Sequence, residues 1–263
     1  MRFSVGLFFF AGVVAFCLSS CDFRKQPPEL SFDHLVLFVE QGDSIDRFFH
    51  QHFTLAEKAT TVHDSQGTEG HYFLFFNTFV ELLYLNDSSK AVENETRFGS
   101  AYIPRWSPEY CPIGVGLQLM PFDTSGMSAL YHTYSSINDG SFNFYWMPKA
   151  NRNQEQPLLY ISEPERSYHQ FESLEEVDEK VEDFKREDVK RYLTHPKGMQ
   201  RLSKIRIEVS ADQLNGKNVA TLNRLPQVEV SRGDGYRIVL EFDDHRRRKR
   251  LKSGGKLPLE VHY

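Results

Sequence analysis

The stretch Ser31-Phe-Asp-His-Leu-Val-Leu-Phe-Val39 decides how this chain is read. Its counterpart is Gly67-Thr-Glu-Gly-His-Tyr-Phe-Leu-Phe-Phe-Asn-Thr-Phe-Val-Glu-Leu-Leu-Tyr-Leu85. Both are rich in aliphatic and aromatic residues, as buried strands are. Yet each carries one ionisable side chain in its middle, His34 and Glu81. Such a group is costly in an apolar strand unless it is paired, hydrogen-bonded or held on a metal. The two residues are therefore the first candidates for a site. For each the alternative is a core group satisfied by a neighbour.

Around these strands the pattern predicts an order. Residues 32–39 form a strand. Asp43 or Ser44 caps a helix running to about Phe53, with Ile45, Phe48 and Phe49 at helical spacing. Residues 55–63 read as a weaker strand and residues 65–70 as a turn. Residues 72–76 and 79–85 then make a hairpin across Asn77-Thr78. After a loop over residues 86–110 the order repeats: a strand at 113–119, a helix at 124–134, and strands at 142–147 and 158–161. Residues 172–192 predict one acidic amphipathic helix, with Leu174, Val177, Val181 and Phe184 on its apolar face. Strands at 205–209, 228–230 and 236–242 are expected to extend or close the sheet. The fold class read from this order is α+β.

The 263 residues are 40% hydrophobic and include 22 Phe, enough for a substantial core. The net charge of −5 falls to −6 without residues 1–20, which hold Arg2 and no acid. Nucleic acid is therefore not an expected partner. The run His245-Arg-Arg-Arg-Lys-Arg-Leu-Lys252 is the strongest charge feature, read as a solvated hairpin or loop, with anionic lipid as the alternative. Gly114 and Gly116 are too little for a nucleotide loop and instead let a ligand or another part of the chain approach a strand.

Met1-Arg2 followed by an apolar run to Phe16 and then Leu18-Ser-Ser-Cys21 resembles the lipobox of bacterial lipoproteins. The resemblance implies a signal peptide over residues 1–20, lipidation of Cys21, a tether over 21–30 and an exported protein held at the cell envelope through its lipid. Cys17 would leave with the signal, so Cys111 stands alone and no disulfide within the mature chain is expected.

Four motifs carry a second resemblance. Phe32-Asp-His-Leu-Val, Gln66-Gly-Thr-Glu, Phe76-Asn-Thr-Phe-Val-Glu-Leu-Leu-Tyr and Cys111-Pro-Ile-Gly-Val-Gly-Leu are similar to the glyoxalase-like domain family of the vicinal oxygen chelate superfamily. His195-Pro-Lys-Gly followed by Leu202-Ser-Lys-Ile-Arg-Ile adds to it. The resemblance implies paired βαβββ modules, at about residues 31–90 and 111–165, forming a cupped mixed sheet around a cleft. A C-terminal helix and strands then fill 172–263. It implies a small-molecule ligand, and in its metal-dependent branch a divalent ion (Zn, Fe, Mn or Ni) on a His from a first strand and a Glu from a last strand. Here those positions are His34 and Glu81. The second module has no matching pair: Gln118 is the polar residue of its first strand, and its last strand has no acid in its middle. Glu81 and His195 are the candidates for proton transfer, and Gln66, Gly67, Thr68 and Gln118 for substrate contact. Three functions stay open: a metal-assisted lyase, isomerase or dioxygenase; a non-catalytic module that sequesters a small molecule; and a structural lipoprotein.

Overall fold

The computed structural model describes residues 29–120, 131–136, 142–148, 153–161 and 170–263. The expected leader, Cys21 and most of the expected tether lie outside them, as does the 124–130 part of the expected second helix. Among the described residues, no helix is long and apolar enough to cross a membrane.

The chain is α+β with two mixed sheets. β1 (Glu29–Phe38) is followed by α1 (Ser44–His52), whose first turn is capped by Asp43 accepting from the Asp46 N–H at 2.8 Å. β2 (Thr61–His63), β3 (Thr68–Phe75) and β4 (Thr78–Leu85) come next, then α2 (Ser88–Phe98) and β5 (Ile113–Met120). β6 (Tyr131–Ser136), β7 (Phe142–Pro148) and β8 (Leu158–Ile161) complete the first sheet. Its strand order is β2-β3-β4-β1-β5-β8-β7-β6. β1 and β5 run antiparallel at the centre, and each has a parallel neighbour, β4 and β8 respectively.

β1 is apolar throughout because both of its faces are covered. Leu35 and Leu37 face one way, into a cluster with Val80, Leu82, Val115 and Leu117. Val36 and Phe38 face the other way, against Leu83, Leu158, Ala101 and Tyr102. A half-exposed strand would have alternated with polar residues instead.

Several expectations are corrected. The C-terminal strands do not extend the first sheet. β9 (Leu202–Val209), β10 (Val228–Arg232), β11 (Arg237–Phe242), β12 (Arg250–Ser253) and β13 (Leu259–His262) form a second, five-stranded sheet in the order β10-β9-β11-β13-β12. Ile205, Ile207, Ile238, Leu240, Leu259 and Val261 join the same core as Leu35 and Leu37. Part of the basic run is therefore strand β12, and Lys252 pairs with Glu260 at 2.8 Å.

The expected helix at 172–192 is two, α3 (Leu174–Lys180) and α4 (Asp183–Tyr192), with Val181 extended between them. Val177 is buried, but the break turns Phe184 out to 76% exposure. Asp178 holds the bend by pairing with Lys190 at 2.5 Å. Residues 131–134, expected at the end of a helix, belong to strand β6, which pairs with β7. Of the weak strand at 55–63, only Thr61–His63 is extended. The loop at 86–110 contains α2, capped by Asp87 and ended by Gly99 at φ 64°.

Candidate functional site

Parallel pairing of β1 with β4 places Val36 beside Glu81, so His34 and Glu81 emerge on the same face, two positions apart in register. β5 brings Gly116 opposite His34, β8 brings Tyr160 beside Gly116, and β3 brings Tyr72 opposite Glu81. Side chains at paired positions share a face. Five strands thus converge on one patch.

An irregularity in β1 completes it. Phe32 pairs with Leu117 and His34 with Gly116, so Asp33 is an extra residue in the ladder. Such a bulge re-aims a side chain. Asp33 Oδ2 lies 2.5 Å from His34 Nδ1. Gln118 Nε2 donates to Asp33 Oδ1 at 2.5 Å, and Thr78 Oγ1 donates to the Asp33 carbonyl at 2.6 Å. In the Nδ1–H tautomer, with that N–H donating to the carboxylate, Nε2 accepts from the Tyr160 hydroxyl. The imidazole stacks on Phe79 with centroids 4.1 Å apart and rings 15° from parallel. Beneath it Gly116 supplies bare backbone: a Cβ there would collide with the ring. The glycine expected to admit an approaching group admits this imidazole.

Glu81 has its own partner. The Tyr72 hydroxyl bonds to it, and Gly70 makes room, since a Cβ at that glycine would stand 2.5 Å from Glu81 Oε1. Burial first, and the Glu81 charge second, push the Tyr72 phenol far above its ordinary range. The same two causes raise Tyr160. Both phenols therefore stay protonated donors at neutral pH. Tyr72 continues outward: His63 links it to Thr68 Oγ1, each contact at 3.1 Å, and Thr68 Oγ1 donates to Gln66 Oε1 at 3.4 Å. His63 is half-buried in this chain of bonds. Tyr102, from the segment between α2 and β5, acts electrostatically on both phenols and packs over the same face. Nothing in the sequence marked it, because it lies where only a loop was expected.

The predicted residues thus separate. His34 and Glu81 come together. Gln118 holds Asp33, which had not been singled out. Thr68 and Gln66 reach Glu81 only through His63 and Tyr72. Gly67, at φ 66°, is a packing point where its carbonyl accepts from Asn86 N and Asp87 N at 2.9 Å each. His195 does not join them. Its Nδ1 accepts from Thr54 N–H at 3.0 Å and its Nε2 donates to the Leu74 carbonyl at 2.8 Å, while Phe53 and Phe75 pack around the ring. Burial brings its pKa down to about 4, so it is a neutral staple between backbones. Its proton-transfer role is corrected on that ground.

The arrangement was also tested for a metal. Among the described residues no group of three or more His, Cys, Asp or Glu is placed to hold one. Both nitrogens of His34 are engaged, and Glu81 is bonded to Tyr72. The described residues do not fit a divalent ion as they stand. Cys111 is free and buried, its thiol pushed up to about 12 by burial, and plays no part in the patch.

No protein-family model matches the chain, and no curated protein matches it. Among solved structures it is similar to a crystal structure of a hypothetical protein from Staphylococcus aureus. That likeness has 12% identity and a TM-score of 0.49, over 89% of this chain and 99% of the other.

Proposed function

We propose that this chain is an exported, lipid-anchored member of the glyoxalase-like family. In this reading two βαβββ modules meet at β1 and β5, and the His34–Glu81 face binds a small molecule bearing neighbouring carbonyl or hydroxyl oxygens. The observation that carries the proposal is the convergence of Asp33, His34, Glu81, Tyr72 and Tyr160 on one buried face. The strand order, symmetric about the β1–β5 pair, supports the paired modules. The apolar leader ending in Cys21 supports the anchor.

Chemically the patch pairs donors that do not ionise with acceptors that are held in place. In the unliganded patch the phenol hydrogens are spent internally, Tyr160 on His34 and Tyr72 on Glu81, so a ligand binds by exchange. Its hydroxyl takes over as donor to Glu81 or to the Asp33-oriented His34, and the displaced phenol turns its O–H to the neighbouring ligand oxygen. This suits recognition or sequestration without turnover. It also provides the parts for moving a proton at a carbon next to a carbonyl, with Glu81 as the base. The metal-assisted lyase, isomerase or dioxygenase is the second reading, supported by the family resemblance at His34 and Glu81.

The full chain in detergent is to be screened with small hydroxy-ketones and dicarbonyls by thermal shift. The expected result is a saturable rise in Tm for at least one of them, reduced in both Tyr160→Phe and Glu81→Gln. A rise untouched by either change, or no rise across the screen, removes the proposal. Metal content is measured on the same preparation, purified without chelator. Stoichiometric divalent metal that disappears in both His34→Ala and Glu81→Ala would replace the hydrogen-bonding reading with the metal-assisted one.

A further inference from the structure

Arg105 lies in a short 3-10 turn, Ile103–Trp106, and is 1% exposed. Its Nε donates to the Ala101 carbonyl at 2.8 Å. Its Nη1 donates to the carbonyls of Cys111 and Gln156, each at 2.9 Å. A guanidinium has five N–H donors, so these bonds spend three. The other two sit on Nη2, which is buried and has no hydrogen-bond partner among the described residues. Among the described residues no carboxylate is in contact with the group. Glu95 acts on it only through space, and its Oε2 already accepts from Ser100 Oγ and Tyr102 N. The Phe38 ring, 5.9 Å from Arg105 Cζ, gives partial compensation. A buried cation with carbonyl contacts, one ring face and two idle donors is an unbalanced charge by the ordinary rules of protein interiors.

Beside it is a cavity of about 280 Å³, whose lining includes Arg105. Most of that lining is apolar or aromatic, with Phe38, Trp106, Tyr110, Pro112, Tyr236 and Leu257. The charged lining residues are Arg47, Arg105 and Lys256 against Glu40 and Asp43, one positive charge in excess. Asp43 is occupied as the cap of α1, and Glu40 is held by Lys256 at 3.0 Å. None of Asp33, His34, Glu81 and Tyr160 lines this cavity, so it stands apart from the patch described above.

We infer that this cavity is a binding site for a small organic carboxylate. The carboxylate accepts from Arg105 Nη2, which has no accessible surface until the side chains over it shift to admit the ligand, and the apolar body lies against Phe38, Trp106 and Tyr236. The volume is near the lower end of the range for ligand pockets, which suits an acid with a single ring. Nε and both Nη1 hydrogens are already committed, so the two-pronged guanidinium–carboxylate fork is not available. Recognition rests on Nη2, on the excess positive charge and on the aromatic wall. An inorganic anion would use the first two and waste the third.

The test is calorimetric titration of the full chain in detergent with benzoate, with benzamide as its neutral counterpart and with inorganic phosphate. One-to-one benzoate binding is expected, at least about tenfold tighter than benzamide, as follows from one charge-assisted hydrogen bond. Phosphate is expected to bind more weakly than benzoate. Lys256→Glu should weaken benzoate severalfold without changing the circular dichroism spectrum. Arg105→Met should erase the preference for benzoate over benzamide. Absence of saturable benzoate binding overturns the inference. So does equal affinity for benzoate and benzamide, phosphate binding as tight as benzoate, or a preference that survives Arg105→Met. If Arg105→Met does not fold, the benzoate-to-benzamide ratio in the wild type and in Lys256→Glu decides: a ratio near one, or no loss in Lys256→Glu, rejects the site.

Discussion

His34 and His195 are both buried imidazoles, and their surroundings separate them. His34 has a carboxylate on one nitrogen and a phenol on the other. His195 has a backbone N–H on one nitrogen, a carbonyl on the other and aromatic rings around it. Its neutral state makes the fold sensitive to acid. The unfolded chain takes up a proton near the ordinary value of 6.5, which the folded ring refuses until about 4. The contribution is therefore intact above pH 6.5 and is lost as pH falls toward 4. The loss reaches about 3 kcal/mol at most. Urea midpoints at pH 7, 5 and 4 should fall steeply in the wild type. In His195→Asn they should start lower and fall less, and an unchanged slope would contradict the assignment. The sequence showed where the two histidines sit along the chain. It could not show what each ring nitrogen would meet, because the Tyr160 bonded to His34 is 126 residues away.

At the scale of elements, α1, β1, β3, β4 and β5 were legible because their periodicity and caps are local. α2 was not, since Ser88–Phe98 carries few apolar residues and owes its position to tertiary contacts. Gly67 is one of those contacts. It adopts φ 66°, and a Cβ there would meet the backbone of Asp87 and of Ala91 at the start of α2. Gly67→Ala must therefore both adopt a left-handed conformation and displace the helix, at a cost of about 2–4 kcal/mol. Denaturant unfolding of the variant measures this, and a change under about 0.5 kcal/mol, the range of an ordinary surface substitution, would show that α2 yields freely. The α3–α4 break escaped the sequence for a related reason. A continuous apolar spacing fits one helix as well as two, and contacts across the bend, such as Asp178 with Lys190 and with Arg186, separate the cases.

For the whole molecule, the two sheets share one core, and neither has a complete apolar interior alone. A chain ending before residue 202 would leave Leu35, Leu37, Leu82, Val115 and Leu117 without the layer that covers them. Such a chain should show no cooperative urea transition; a sharp one would mean that the eight-stranded sheet is self-sufficient. The sequence by itself determined the α+β class, most strands of the first sheet, and the presence of an imidazole and a carboxylate inside them. It could do so because strand propensity, side-chain alternation and the cost of burying charge are properties of short segments. Only the tertiary structure decided that the C-terminal strands form a separate sheet, that His195 staples backbones, and that Asp33 and Tyr160 flank His34. Those outcomes depend on register, on one bulged residue and on contacts between distant parts of the chain, which no short segment specifies.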